Sequence, residues 1–352
     1  MSDTRAEAAA DGRIAAATGT DPAALGPDSP GLGTDPAALG PDSPGLGNDP
    51  AALGPDSPGL GAACSLSPSR AGDFLTCPLL YRFRVLDRLP EPPSAAAARG
   101  TLVHAVLDRL FDEPARGRTP QAARELVQPQ WERLLDAEPE LAALFADAER
   151  RDEWLSEASA MLDRYFTLED PTRLEPAHRE LSVQAVLESG LTLRGYIDRL
   201  DVAPTGEIRI VDYKTGTAPG PEFEARALFQ MRFYALVMWR MHGTVPRLLQ
   251  LIYLGSGEIL RYWPDAADLL ATERKINALW RAIERARSSG DWRPRPSGLC
   301  SWCAHQAICP AFGGTPPPLP PVPVAAEAPG PLAVPGQAGP LRAATAAGPD
   351  PG

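Results

Sequence analysis

Lysine is nearly missing from this chain: only Lys214 and Lys275 occur among 34 basic residues, and arginine supplies the rest. Long apolar runs are missing as well. A bilayer-spanning helix needs about 20 consecutive apolar residues, so no membrane segment is expected. The opening MSDTRAEAAADG has no basic region followed by an apolar run, so no secretory leader is visible and a cytoplasmic location is expected. In that reducing compartment the five cysteines read as ligands or reactive thiols, not disulfides. No G-x-x-x-x-G-K-[ST] loop is present, and neither lysine follows a glycine, which excludes an ATP-driven motor of the chain's own. A basic excess is absent too. The net charge is −11, and nine of the acidic residues lie in residues 1–63 beside two basic ones. The core at 64–310 is therefore mildly acidic, and any phosphate binding must come from local arginines or a metal.

What is there falls into three parts. DPAALGPDSPGLG occurs three times, from Asp21, Asp35 and Asp49, with a period of 14 residues. The unit is too short and too rich in Pro, Gly and Asp to bury a core, so residues 1–63 are expected to be a disordered tail. Residues 311–352, with PPPLPPVPV and later Pro/Gly/Ala repeats, read as a second tail. Between them, hydrophobic periodicity predicts helices at Ala95–Phe111, Gln121–Asp136 and Leu141–Leu168. Strands follow at Glu180–Leu187, Leu191–Val202 and Glu207–Thr215, the last two joined through Ala203-Pro204-Thr205-Gly206 as a hairpin. A helix at Glu222–His242, a hairpin of Leu248–Leu254 with Glu258–Trp263, and a helix from Asp265 to Ser288 complete a mixed α/β domain.

The first hairpin carries the chemistry. In "IVDYKTG" the strand period of two puts Asp212 and Lys214 on one face and Tyr213 on the other. A three-residue loop at Pro204–Gly206, with Gly206 in the left-handed region, places Asp198 opposite Asp212, with Cβ atoms about 5 Å apart. Two carboxylates that close call for a cation, and hard oxygen ligands suit Mg²⁺ or Mn²⁺. Lys214 would stand beside that ion, where an ammonium can orient an attacking water and offset developing phosphate charge better than an arginine of fixed high pKa. The competing reading is an exposed strand face with an ordinary ion pair.

The ordered set decides between them. "GYIDRLD" followed by "DYKTG" resembles the PD-(D/E)xK nuclease superfamily, and within it the RecB-type exonuclease branch. "GTLVH" (Gly100–His104) is similar to that branch's G-x-x-x-H signature, and "QMRFY" (Gln230–Tyr234) to its Q-x-x-x-Y motif. The resemblance implies a restriction-endonuclease-like core, a mixed central sheet flanked by helices. It implies that Asp198, Asp212, His104 and the Tyr213 carbonyl hold Mg²⁺ or Mn²⁺, with Lys214, Gln230 and Tyr234 in the active site. By analogy Glu180 has an outer role. Arg199 and Asp201 are expected to pair with each other or with the helix behind.

Cys300, Cys303 and Cys309 form C-x2-C-x5-C, with Cys77 far upstream. Four thiolates can hold tetrahedral zinc or an iron–sulfur cluster. The resemblance extends to AddB-type and CRISPR-associated relatives that use such a set for a 4Fe–4S cluster, so that cofactor is expected before zinc, as a staple joining residue 77 to residue 300. Cys64 has no partner in this scheme.

The function so implied is a sequence-independent DNA nuclease, a single-strand exonuclease in repair or recombination, with DNA and a separate helicase as partners. A CRISPR spacer-processing nuclease and a non-catalytic iron–sulfur DNA-binding subunit are the alternatives. Arg82, Arg84, Arg99, Arg194, Arg226, Arg232, Arg293 and Arg295 are candidates for backbone phosphates, and Tyr81, Trp292 and Trp302 for base stacking.

Overall fold

The computed structural model describes residues 14–18 and 65–320, without the side chains of 14–18, 221–223 and 226. The chain divides into two compact units, Met1–Pro317 and Pro318–Gly352, and every helix and strand below belongs to the first. In chain order these are β1 (Ile14–Thr18), β2 (Ser65–Leu66), α1 (Pro68–Thr76), α2 (Pro78–Tyr81), α3 (Ala95–Leu110), α4 (Pro120–Ala137) and α5 (Ala148–Leu168). Then come β3 (His178–Val186), β4 (Thr192–Val202), β5 (Ile208–Lys214), α6 (Pro221–His242), β6 (Leu248–Tyr253), β7 (Glu258–Tyr262) and α7 (Ala266–Ser289).

The strands form one mixed sheet in the order β1-β7-β6-β5-β4-β2, with β3 also paired to β4. β5 runs parallel to β6, and β4 antiparallel to β5. Alternation along β5 splits the core in two. Ile208 and Ile210 pack with α1, α6 and α7, whereas Val211 and Tyr213 pack with α3, α4 and α5. The expected mixed α/β architecture, a central sheet with helices on both faces, is the one observed.

One expectation is corrected. Leu141–Leu168 is not one helix: a 3₁₀ turn covers Pro139–Leu144, and α5 starts anew where the Asp147 carboxylate accepts the Arg150 N–H at 2.9 Å. An acidic N-cap satisfies an otherwise unpaired helix donor, which makes a fresh start here more favourable than continuation. β1 lies ahead of the repeats and pairs with β7, Ile14 opposite Tyr262. The repeats themselves, Cys64 and the tail from residue 321 lie outside the described residues. Among the described residues no helix is long and apolar enough to cross a membrane.

The β4–β5 turn forms as its sequence dictates. Ala203 N–H bonds to Glu207 carbonyl at 2.9 Å, leaving a three-residue loop closed by Gly206 at φ +85°. The register so fixed pairs Arg199 with Val211, and the ladder ends there, one residue short of Asp198 and Asp212. β3 breaks its own rule beside this point. Arg179 pairs with Arg199 and Leu181 with Ile197, but Glu180 between them takes φ +43°, a left-handed conformation costly for a residue with a Cβ. Alternation reverses across the break. Ile197 and Leu200 share one core although they are three residues apart, while Arg199 reaches α5 on the opposite face. The sheet opens at Asp198.

Candidate active site and cysteine cavity

Where the β4–β5 ladder ends, side chains take over from main chain. The Tyr213 N–H donates to the Asp198 carboxylate at 2.8 Å. The Tyr213 carbonyl lies 2.8 Å from His104 Nε2, on α3, and His104 Nδ1 is 3.5 Å from the same Asp198 oxygen. Glu180 joins them: ligand atoms of His104, Glu180 and Asp198 all lie within 4.8 Å of one another. Gly100, one turn before His104 on α3, has only Thr215 Oγ1 near its missing Cβ, at 3.7 Å, so the helix comes close to the end of β5.

On the α6 side of the opening, Asp212 and Lys214 form an ion pair at 2.6 Å. Gln230 bridges them, donating to Asp212 through Nε2 at 2.9 Å and accepting from Lys214 at Oε1 at 3.1 Å. Tyr234, one helical turn on, places its hydroxyl 3.4 Å from the same amide. Its ring lies over Gly195: a Cβ there would come within 2.6 Å of the Tyr234 ring, which gives the glycine of "RGYIDRLD" its reason.

The electrostatics are those of a cation site. Burial, reinforced by Asp212, pushes Asp198 up to about 7, against the pull of His104 and the Tyr213 N–H. Burial also raises Glu180, with Asp108 and Asp212 adding to it, although the side chain stays accessible from the cleft. Carboxylates that burial and neighbouring acids drive towards protonation, next to an imidazole nitrogen and a main-chain carbonyl oxygen, fit a hard divalent ion. The donor set therefore fits Mg²⁺ or Mn²⁺.

Behind the opening Arg199 is buried against α5. Its guanidinium donates to both Glu169 oxygens at 2.8 and 2.9 Å and to the Tyr213 hydroxyl at 2.6 Å, and pairs with Asp201 at 3.2 Å. The expected pairing of Arg199 and Asp201 with each other and with a helix is thus present.

Cys77, Cys300, Cys303 and Cys309 line one cavity of about 420 Å³, together with Phe83 and Trp302. Main-chain N–H groups of Arg295 and Ser297 approach the sulfurs of Cys77 and Cys300 at 3.4 and 3.3 Å. Among the described residues, no three of these thiols come within 4.8 Å of one another.

The candidate substrate contacts differ in their surroundings. Tyr81 and Trp292 are buried and stacked on each other at 5.9 Å, so neither offers a face to a base. Arg82 is buried and paired with Asp87 at 3.0 Å. Arg84 is held by Asp73 and Glu91, Arg99 by Glu157, and Arg293 by Asp291. Arg232 lies over the Tyr262 ring, and Arg295 donates to the Leu75 carbonyl. The Arg226 side chain lies outside the described residues. Trp302, by contrast, is 87% exposed. Glu180, given an outer role by analogy, lies with its carboxylate within 4.8 Å of the His104 and Asp198 ligand atoms. The sequence missed its conformation, since no pattern in "HRELSV" signals a left-handed residue.

The chain is similar to several known proteins. The chain is 23% identical over 287 residues to the Gene 69 protein of Mycobacterium phage L5. It is 24% identical over 271 residues to the Gene 69 protein of Mycobacterium phage D29, covering 70% of this chain and 96% of the relative in both cases. A crystal structure of a candidate exonuclease from Eubacterium rectale overlaps 69% of this chain and 88% of its own, at 15% identity and a TM-score of 0.47. Residues 65–310 match the model of the PD-(D/E)XK nuclease superfamily, and with most of its length in that match the chain belongs to this superfamily.

Proposed function

We propose that this protein is a Mg²⁺- or Mn²⁺-dependent deoxyribonuclease, of the RecB-type exonuclease branch, that degrades single-stranded DNA ends in repair or recombination. One observation carries the proposal. Asp198, His104 and the Tyr213 carbonyl converge on one point, and the Asp212–Lys214–Gln230 group stands beside it. His104, Asp198, Asp212 and the Tyr213 carbonyl would hold the ion, with Glu180 within reach of the same point. When bound, the ion supplies charge neutralisation at the scissile phosphate.

The chain's own residues do the rest. Lys214, fixed by Asp212 and Gln230, orients a solvent water for in-line attack on phosphorus. The new P–O bond forms as the bond to the 3′ oxygen breaks, leaving a 5′-phosphate and a 3′-hydroxyl. With no base-reading module in the sequence, cleavage is independent of sequence. A separate helicase would supply unwound strands, in the cytoplasm. The test uses labelled single-stranded and duplex DNA with Mn²⁺, comparing wild type with Asp212→Ala. Digestion by wild type alone supports the reading, and equal digestion by both, or by neither, refutes it.

The four-cysteine cavity supports a second part of the proposal, a 4Fe–4S cluster as a staple. All four thiols line that one cavity, and main-chain N–H donors face two of the sulfurs. Such a link would close a loop of more than two hundred residues, and long closures remove the most chain entropy. Iron and sulfide analysis of anaerobically purified protein tests it, and zinc or no metal in its place would sink it.

A further inference from the structure

Arg199 is 1% exposed, and a buried guanidinium is costly unless each donor is met. Glu169 meets it as a two-point fork at 2.8 and 2.9 Å. Arg209, 2.8 Å from Asp201 and 3.5 Å from Glu169, holds the acids in turn. None of these groups is in the opening of the sheet. Their common contact with the site is Tyr213, whose hydroxyl accepts from Arg199 at 2.6 Å.

Residue 213 has an unusual task. Its N–H holds Asp198 and its carbonyl faces His104, so both main-chain groups belong to the site. Yet the ladder to β4 stops at the Arg199–Val211 pair, and only β6 still pairs with it, through Ile252. A strand held on one edge can rotate about its axis, and the carbonyl would swing with it. What else holds the residue is its side chain, the ring edge-on to His104 and Tyr165 and the hydroxyl on Arg199. From this geometry we infer that the Glu169–Arg199 pair is a positioning device: gripping the Tyr213 hydroxyl, it sets the angle at which the residue 213 carbonyl, His104 and Asp198 face one point.

The inference rests on the metal-centre reading above. It also explains why ions are used here at all, since apolar packing often stabilises a core as well as a buried pair does but cannot fix one angle. Mn²⁺ titration of the full chain by calorimetry tests it, with three variants. Tyr213→Phe keeps the ring and the carbonyl but loses the grip, and its Mn²⁺ affinity is expected to fall about 10–100-fold, as for groups that orient metal ligands elsewhere. Glu169→Gln, which breaks half of the fork, should shift affinity the same way. Val127→Ala, in the same core but with no part in this hydrogen-bonded network, should lower the melting temperature and leave Mn²⁺ affinity alone. In DNA digestion, Tyr213→Phe should need more Mn²⁺ for half-maximal rate and recover its kcat at saturation. Unchanged Mn²⁺ affinity in Tyr213→Phe overturns the inference, as does an equal loss in Val127→Ala. A wild type that binds no Mn²⁺ removes the metal reading itself.

Discussion

Tyr213 donates its main-chain N–H to the carboxylate of Asp198 at 2.8 Å, where a strand would normally bond to its neighbour's backbone. Asparagine at 198 keeps an oxygen for that N–H and removes only the charge. Asp198→Asn is expected to fold with an unchanged or slightly higher melting temperature in chelator, because a carboxylate leaves a crowd of like charges. Its Mn²⁺-dependent DNA digestion should fall to background. Thermal denaturation beside a digestion assay checks both halves.

Gln230 sits between Asp212 and Lys214 with its amide oriented by both. Gln230→Leu leaves the ammonium held by Asp212 alone, and kcat is expected to drop about 10–100-fold, at or below the roughly 100- to 10,000-fold that general acid–base groups contribute. Binding of DNA should change little. Gln230→Glu should be worse, since a carboxylate then faces Asp212. Steady-state kinetics on single-stranded DNA separates the effects.

Gly195 leaves space for the Tyr234 ring, 2.6 Å from where a Cβ would be. Gly195→Ala is expected to cost about 1–3 kcal/mol, the usual range for overpacking a core. In the double variant with Tyr234→Ala the two costs should not add, because the clash disappears with the ring. Urea denaturation of the four proteins measures the coupling.

Burial raises Glu169, but the Arg199 and Arg209 guanidiniums beside it outweigh that and hold its carboxyl below the ordinary range. A depressed folded value stabilises the protein above the unfolded value of about 4.3 and is lost as pH falls through the folded one. Burial pushes Tyr213 the other way, above the usual phenol range. That contribution is present below pH about 10 and is lost as pH rises beyond it. Melting temperature against pH should therefore fall at both ends. Glu169→Gln should flatten the acid limb and Tyr213→Phe the alkaline one.

Cys303 stands next to the exposed Trp302 and shares its cavity with the three other thiols. Cys303→Ser is expected to lower bound iron and melting temperature together. Mn²⁺ affinity at the sheet opening should stay at the wild-type level if the cluster is a staple. Metal analysis and calorimetry on one preparation decide it.

The sequence by itself determined the hairpin and everything its register implies. Gly206 and the Pro204–Thr205 turn fix which residues oppose each other, and a period of two then puts Asp198 across from Asp212 and Lys214 beside it. These are local facts, set by turn geometry and pleat. The i, i+4 spacing of Gln230 and Tyr234 is equally local. Tertiary structure alone decided that the sheet opens at Asp198, that Glu180 turns left-handed into the opening, and that α5 grips Tyr213 through Arg199. It also buried Tyr81 and Trp292, which the sequence left as candidates for stacking on bases. Such outcomes depend on which helix lies over which face, and on which buried charge finds a partner there, and neither is encoded in any run of neighbouring residues.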